Sequence, residues 1–172
     1  EGAQEALSRG LAIAQREGDM ALQMQALAWS ADVEVTHFHW QQALEKALQA
    51  IELTSHADNP LAEMFANLLA GLALAAMGGD KKTLEQHSEA TLAAAERLHD
   101  RVWLPLALAI RSVHFSSRGE WQSARELGDR GLALAPRHPS VLSSRILLEY
   151  ELGDFEQGEV FLERLMDVMR LA

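Results

Sequence analysis

Gly119-Glu120-Trp121-Gln122-Ser123-Ala124, followed by Gly128, Gly131 and Pro136, is matched 34 residues later by Gly153-Asp154-Phe155-Glu156-Gln157-Gly158, followed by Leu162 and Leu165. In both stretches small or apolar residues stand 3, 7 and 10 positions after the aromatic. The same template, shifted upstream, meets Trp40, Ala43, Ala47 and Ala50, and at the start of the chain Ala3, Ala6, Gly10 and Ile13. A weaker copy begins at Gly79-Asp80-Lys81 and continues through Leu84, Ser88 and Thr91. Successive copies lie 37, 41, 40 and 34 residues apart. A recurrence of this length marks a repeat array, in which each supersecondary unit buries its apolar face on the next.

The template reads as a pair of antiparallel helices. Glycine followed by an acidic residue makes a tight turn and then a helix N-terminus, where a carboxylate favours the positive end of the dipole. The aromatic is expected to pack in the angle between helices, and the small residues let two backbones approach closely. Nine antiparallel helices are predicted, at 2–17, 20–36, 39–54, 60–78, 80–98, 101–118, 120–135, 139–152 and 154–171. Their breaks fall at Gly18-Asp19, Gly78-Gly79-Asp80, Gly119-Glu120 and Gly153-Asp154, with Pro60 and Pro139 at first-turn positions. Asp58 or Asn59 caps the fourth helix and Asp100 the sixth, whose Pro105 is tolerable if the helix begins near Val102. The repeats run 19–56, 60–98, 101–136 and 139–172 after a half repeat at 1–18, all in one domain spanning 1–172.

Composition agrees. Of 172 residues, 28 are alanine and 28 leucine, both strong helix formers, whereas valine and isoleucine together number 11, too few to furnish a sheet. The longest apolar run, Leu68 to Met77, is ten residues, well short of the roughly 18 a membrane span needs. There is no cysteine, hence no disulfide, thiolate zinc site or thiol nucleophile, and the polar first residues do not resemble a secretory signal. A cytoplasmic location follows as the expectation. Net charge is −10, divided −6, 0 and −4 between residues 1–60, 61–119 and 120–172. No part is basic, so direct nucleic-acid binding is disfavoured.

The order glycine, acidic residue, aromatic, alanine, small residue, alanine, proline resembles the tetratricopeptide repeat. Trp121, Ala124, Gly128, Gly131 and Pro136 take the family's places in turn, and its first-helix small residue falls on Ala31, Gly71 or Leu72, Ser112 and Ile146, the last a departure. The resemblance implies an all-α fold, a right-handed α–α superhelix. Repeats near 40 residues are further similar to the sensor arrays of bacterial LuxR regulators of the maltose-activator type and related signalling ATPases. It implies an array that senses an inducer or protein partner for output modules outside this stretch. No phosphate-binding G-x-x-x-x-G-K-[ST] is present, and Gly78-Gly79-Asp80-Lys81-Lys82-Thr83 lacks the spacing and the preceding strand.

Catalytic and metal chemistry find little support. His37 and His39 are two apart where helical metal ligands prefer four, which leaves a solvated turn around a buried Phe38. His56, His87, His99, His114 and His138 are isolated, and no serine or lysine is placed by motif as a nucleophile beside them. Glu45, Glu52, Glu85, Glu89 and Glu96 read as a solvated exterior. No enzyme activity, cofactor or metal is expected. Trp103 has no repeat role and is a candidate for an exposed contact.

What remains is the surface that stacking creates. The first helix of each pair lines the concave side of a solenoid. Counted from the aligned aromatics, that side carries Gln25, Ala28, Asp32 and Val35, then Leu69 and Ala73, then Ala109, Val113 and Ser116, then Ser143, Leu147 and Tyr150. An apolar groove of this kind suits a partner helix, a peptide or a small inducer rather than an acidic tail, which Asp32 would repel. The alternative is a groove closed by the long helices. Apolar residues on two sides of the last helix, and a first helix without its repeat partner, lead to the expectation of a piece of a longer array, or of ends covered by a second copy in a homodimer.

Overall fold

The computed structural model describes residues 2–98 and 101–170. Among them the chain forms α1 (Gly2–Glu17), α2 (Met20–Thr36), α3 (Trp40–Glu52), a 3₁₀ turn (Leu53–Ser55), α4 (Pro60–Ala76), α5 (Lys81–Leu98), α6 (Trp103–Ser116), α7 (Trp121–Leu134), α8 (Pro139–Leu152) and α9 (Phe155–Arg170). All nine helices expected from the repeat are present, and no strand occurs among the described residues. Several begin a residue or two later than the pattern suggests, because the residue ahead of the aromatic is the cap.

The caps follow the sequence signals. Asp19 Oδ1 accepts from Leu22 N–H at 2.9 Å, Asp80 Oδ1 from Thr83 N–H at 3.0 Å and Asp154 Oδ1 from Gln157 N–H at 3.2 Å. Of the two candidates ahead of Pro60, Asn59 is the cap, accepting from Ala62 N–H at 3.1 Å, while Asp58 pairs with Arg97. Val102 is the N-cap of α6, so Pro105 falls in the first turn, where its missing N–H costs nothing. The expected cap Asp100, His99 and the final Leu171 lie outside the described residues.

The helices gather in two compact units, residues 1–98 and 99–172. In the first, α1 packs on α2, α2 on α3, α4 on both α2 and α3, and α5 on α4. The centre is built of alanines: Ala28, Ala50, Ala62 and Ala66 surround Met24 and Leu27, and Ala31, Ala47 and Ala70 surround Leu69. Small side chains bring the helices together closely enough that a single Met or Leu fills each layer. In the second unit α8 packs on α6, α7 and α9, with Leu108, Val141, Leu142 and Leu148 fully buried.

Two buried carboxylates tie these helices by charge. Glu34 on α2 accepts from Lys46 on α3, from His39 at 2.9 Å and from Gln4 on α1 at 2.9 Å. Glu149 on α8, fully buried, accepts from Arg125 on α7 and from Arg145, which also pairs with Asp129 and lies over the Phe161 ring of α9. The hydrogen bonds from Lys46 and then His39 hold the Glu34 carboxyl below the usual carboxylate range. Burial pushes Glu149 up, but its bonds to Arg125 and Arg145 together outweigh that and hold it below the usual range as well. Gly128 makes room for this cluster, since a Cβ there would stand 2.3 Å from Arg145 Cδ.

The turn inside each pair is the same device four times over. The N–H of His39, Gly79, Glu120 and Asp154 reaches back to the carbonyl of Glu34, Leu74, Phe115 and Glu149, at 2.7–3.0 Å. The residue before each of those donors has positive φ: Gly78 at 75°, Gly119 at 74°, Gly153 at 78°, and in the first pair Phe38 at 60°. Phe38 was expected to be buried and is instead 73% exposed, its ring edge-on to Trp40 at 5.6 Å. It bears the left-handed strain that glycine avoids and recovers little burial in return.

Three outcomes follow. Phe38→Gly relieves about 1 kcal/mol of strain, net of glycine's greater unfolded-state freedom, and raises Tm by about 2–4 °C in a thermal melt. Gly128→Ala displaces a buried, doubly paired arginine and costs about 1–3 kcal/mol, read as a lower denaturant midpoint at unchanged slope. Because the folded pKa values of Glu34 and Glu149 are depressed, their stabilisation is complete above the unfolded value of about 4.3 and is lost as pH falls through the folded values. The wild-type midpoint therefore drops below about pH 4, and a Glu34→Gln, Glu149→Gln double variant shows a shallower acid limb from a lower plateau.

Candidate functional site

A helix that packs on one side only is amphipathic; one that is apolar all round must bury or offer its second side. The second helices of the pairs, α3, α5, α7 and α9, together with α1, are of the first kind. The first helices, α2, α4 and α6, are of the second, with α8 less markedly so. Their residues turned away from the packing are the candidate surface, taken separately in each unit.

In the first unit the open side of α2 presents Leu22 (40% exposed), Gln25, Trp29 (46%) and Asp32, and that of α4 presents the half-buried Leu68 and then Leu72 (45%), while Phe65 packs against the Met24 core. In the second, α6 presents Ile110 and Val113, and α8 presents Ser143, Leu147 (55%) and Tyr150. The Tyr150 ring leans back toward α9, edge-on to Phe155 at 5.5 Å and over Gly158, where a Cβ would stand 2.5 Å from it. Trp29, with the largest side chain of these, was not anticipated from the sequence.

Of the expected groove residues, Gln25, Asp32, Val35, Val113, Ser143, Leu147 and Tyr150 reach solvent wholly or in part. Ala28, Leu69, Ala73, Ala109 and Ser116 do not, being buried between helices. The correction is one of register. Aligning on the aromatics set these positions by repeat offset, but Ala28, Ala73 and Ala109 are used where backbones touch and Leu69 fills a layer between helices. Trp29 replaces Ala28, and Leu68 and Leu72 replace Leu69 and Ala73. Ser116 Oγ is spent on the carbonyl of Ser112 at 3.1 Å, and Ser112 Oγ on that of Ala124 at 2.8 Å, which joins α6 to α7. Ile146, where the others have a small residue, is half-buried, and Gly158 takes the place on α9 that Ala124 has on α7.

Other expectations are corrected too. Trp103 is half-buried rather than exposed, and of the template aromatics only Trp40 is half-buried, Trp121 and Phe155 being 37% and 59% exposed. Glu45, Glu52 and Glu89 are solvated, whereas Glu85 and Glu96 are half-buried.

His37, His39, His87, Glu34 and Glu149 are each held by a partner within the fold. His37 donates through Nδ1 to the Val33 carbonyl at 2.7 Å and stacks on His39, while His39 is held by Glu34. His87 donates to Asn67 Oδ1 at 3.0 Å, and burial lowers its pKa, as it does for His138. Glu34 and Glu149, kept ionised by their cations, have no proton to give near neutral pH. Among the described residues no three His, Asp or Glu side chains converge as metal ligands, and no helix is long and apolar enough to cross a membrane.

No family model matches the chain, and no curated protein matches it. Solved structures are similar in fold. MamA 41-end from Desulfovibrio magneticus RS-1 is 14% identical at a TM-score of 0.63, over 99% of this chain and 97% of that one. A MamA RS-1 ArsTM double mutant is 12% identical at 0.62, over 99% and 96%. Rap protein complexed with competence and sporulation factor is 16% identical at 0.67, over 97% of this chain and 58% of that one. At such identities the likeness is one of fold: an all-α, tetratricopeptide-like helical repeat.

Proposed function

We propose that this chain is a non-catalytic repeat segment that binds a protein or peptide partner on the open sides of its first helices, as part of a bacterial signalling or transcription-regulatory protein. The observation that carries the reading is that each unit leaves large apolar side chains in solvent, Trp29 and Leu72 in the first and Leu147 in the second, on helices whose other sides are already packed. Full burial of such a side chain is worth roughly 1.5–3 kcal/mol, and a partner helix or apolar peptide recovers about half of that at each of these half-exposed positions. Rap, similar in fold, was solved with a bound factor, which supports the use of such an array for recognition. In this reading the repeats act as one domain over 1–172, and occupancy biases the array's conformation toward one that adjoining modules read out. Pure assembly without sensing uses the same surface.

The test is selection from a randomised peptide display on the purified chain, followed by titration of the selected peptides against Trp29→Ala and Leu147→Asp variants. Selected peptides carry apolar residues at helical spacing, and each loses about tenfold or more in affinity to at least one variant. Both substitutions are at exposed sites, so circular dichroism stays that of the wild type. Peptides bound equally by all three proteins overturn the reading.

A further inference from the structure

A second surface carries chemistry that the apolar faces do not. Pro136 and Arg137, on the connection from α7 to α8, and Arg164, Asp167 and Arg170, on the last turns of α9, line a cavity of about 490 Å³. Among the described lining residues three guanidinium groups stand against one carboxylate, on a chain of net charge −10. Their settings differ. Arg164 is preset, its Nη2 donating to the Pro136 carbonyl at 2.8 Å while its guanidinium lies over the Phe161 ring, 5.4 Å from the centroid. Arg170 makes one long contact, 3.4 Å to Asp167 Oδ1, and Arg137 has no charged partner among the described residues. Most of the donor capacity of the three is therefore unspent, and guanidinium forks match carboxylates in bidentate geometry.

We infer that this cavity is a binding site for an acidic peptide segment, separate from the apolar faces of α2, α4, α6 and α8. The cavity is several times larger than one tetrahedral anion, and its positive groups are spread around it rather than focused on a point. Asp167 stands among them and repels a compact dianion, whereas an extended chain can set separate carboxylates on Arg137 and Arg164. The Pro136 ring and the arginine stems give an apolar floor for glutamate methylenes. A free phosphate offers the same charge without the length, and the test separates the two.

The test is calorimetric titration of the full 172-residue chain with an acetylated, amidated hexaglutamate peptide and, separately, with inorganic phosphate at matched ionic strength. Arg137→Gln and Arg170→Gln are combined in one variant, since both side chains are exposed and hold no packing. The peptide is expected to bind the wild type, to weaken by about tenfold or more in the variant, and to weaken further as salt rises from 50 to about 200 mM. Shifts of the arginine Nε–Hε resonances, Arg164 included, accompany binding, and phosphate binds much more weakly. Equal peptide affinity for wild type and variant, or no binding below about 1 mM, overturns the inference. Phosphate binding as tight as the peptide's overturns the commitment to a peptide.

Discussion

Everything in this molecule depends on how closely its helices approach. Ala43, Ala47 and Ala50 on α3, and Ala124, Gly128 and Gly131 on α7, present almost no side chain to their neighbours, and all six are buried. A neighbouring helix can then rest against nearly bare backbone, which gains dispersion contacts at little side-chain entropy cost. The same economy empties the space between helices, so large residues have few places inside. Met24, Met64 and Leu108 take some of them. The rest are displaced outward, and Trp29, Leu72 and Leu147 stand on the surface for this reason. The open apolar sides are thus a consequence of tight stacking.

Where the stacking needs more than small residues, it uses charge. Glu34 and Glu149 occupy the same place in two different pairs, each the carbonyl acceptor of its turn. Each side chain reaches basic groups on a neighbouring helix, Lys46 in one case and Arg125 in the other. A buried ion pair adds little net stability once desolvation is counted, but a slipped register would strand the charge, so its clearest effect is on alignment. Gly128 shows how the two devices combine, since the absence of a side chain there creates the space Arg145 needs.

These relations explain what could be read from the sequence. Helix number, turns and caps depend on neighbours within four or five residues, and Gly-Asp, Asn-Pro and the spaced alanines state them locally. The outward face does not, because it is set by which of two adjacent residues a distant helix covers. Ala28 and Trp29 are next to each other, and an alignment on repeat aromatics cannot choose between them. Small residues mark contact, but a bulky residue beside them can be covered, as Leu27, Leu69 and Leu108 are, or open, as Trp29 is. The basic cavity was invisible for another reason, as Arg137 and Arg164 are 27 positions apart and ordinary as single residues.

Phe38 departs from the economy that governs the rest. At the other turns of this geometry Gly18, Gly78, Gly119 and Gly153 take the left-handed position, yet here the chain places a bulky aromatic and leaves it in water. Strain of this sort persists where surrounding structure imposes it. In this turn the imposing contacts are identifiable: the His39 N–H on the Glu34 carbonyl fixes the backbone, and Glu34 is itself fixed by Lys46 and Gln4. The buried charge cluster thus holds the turn in a conformation that its own residue disfavours. Local strain and burial of charge are set against each other at one turn, and the network beneath it decides the balance.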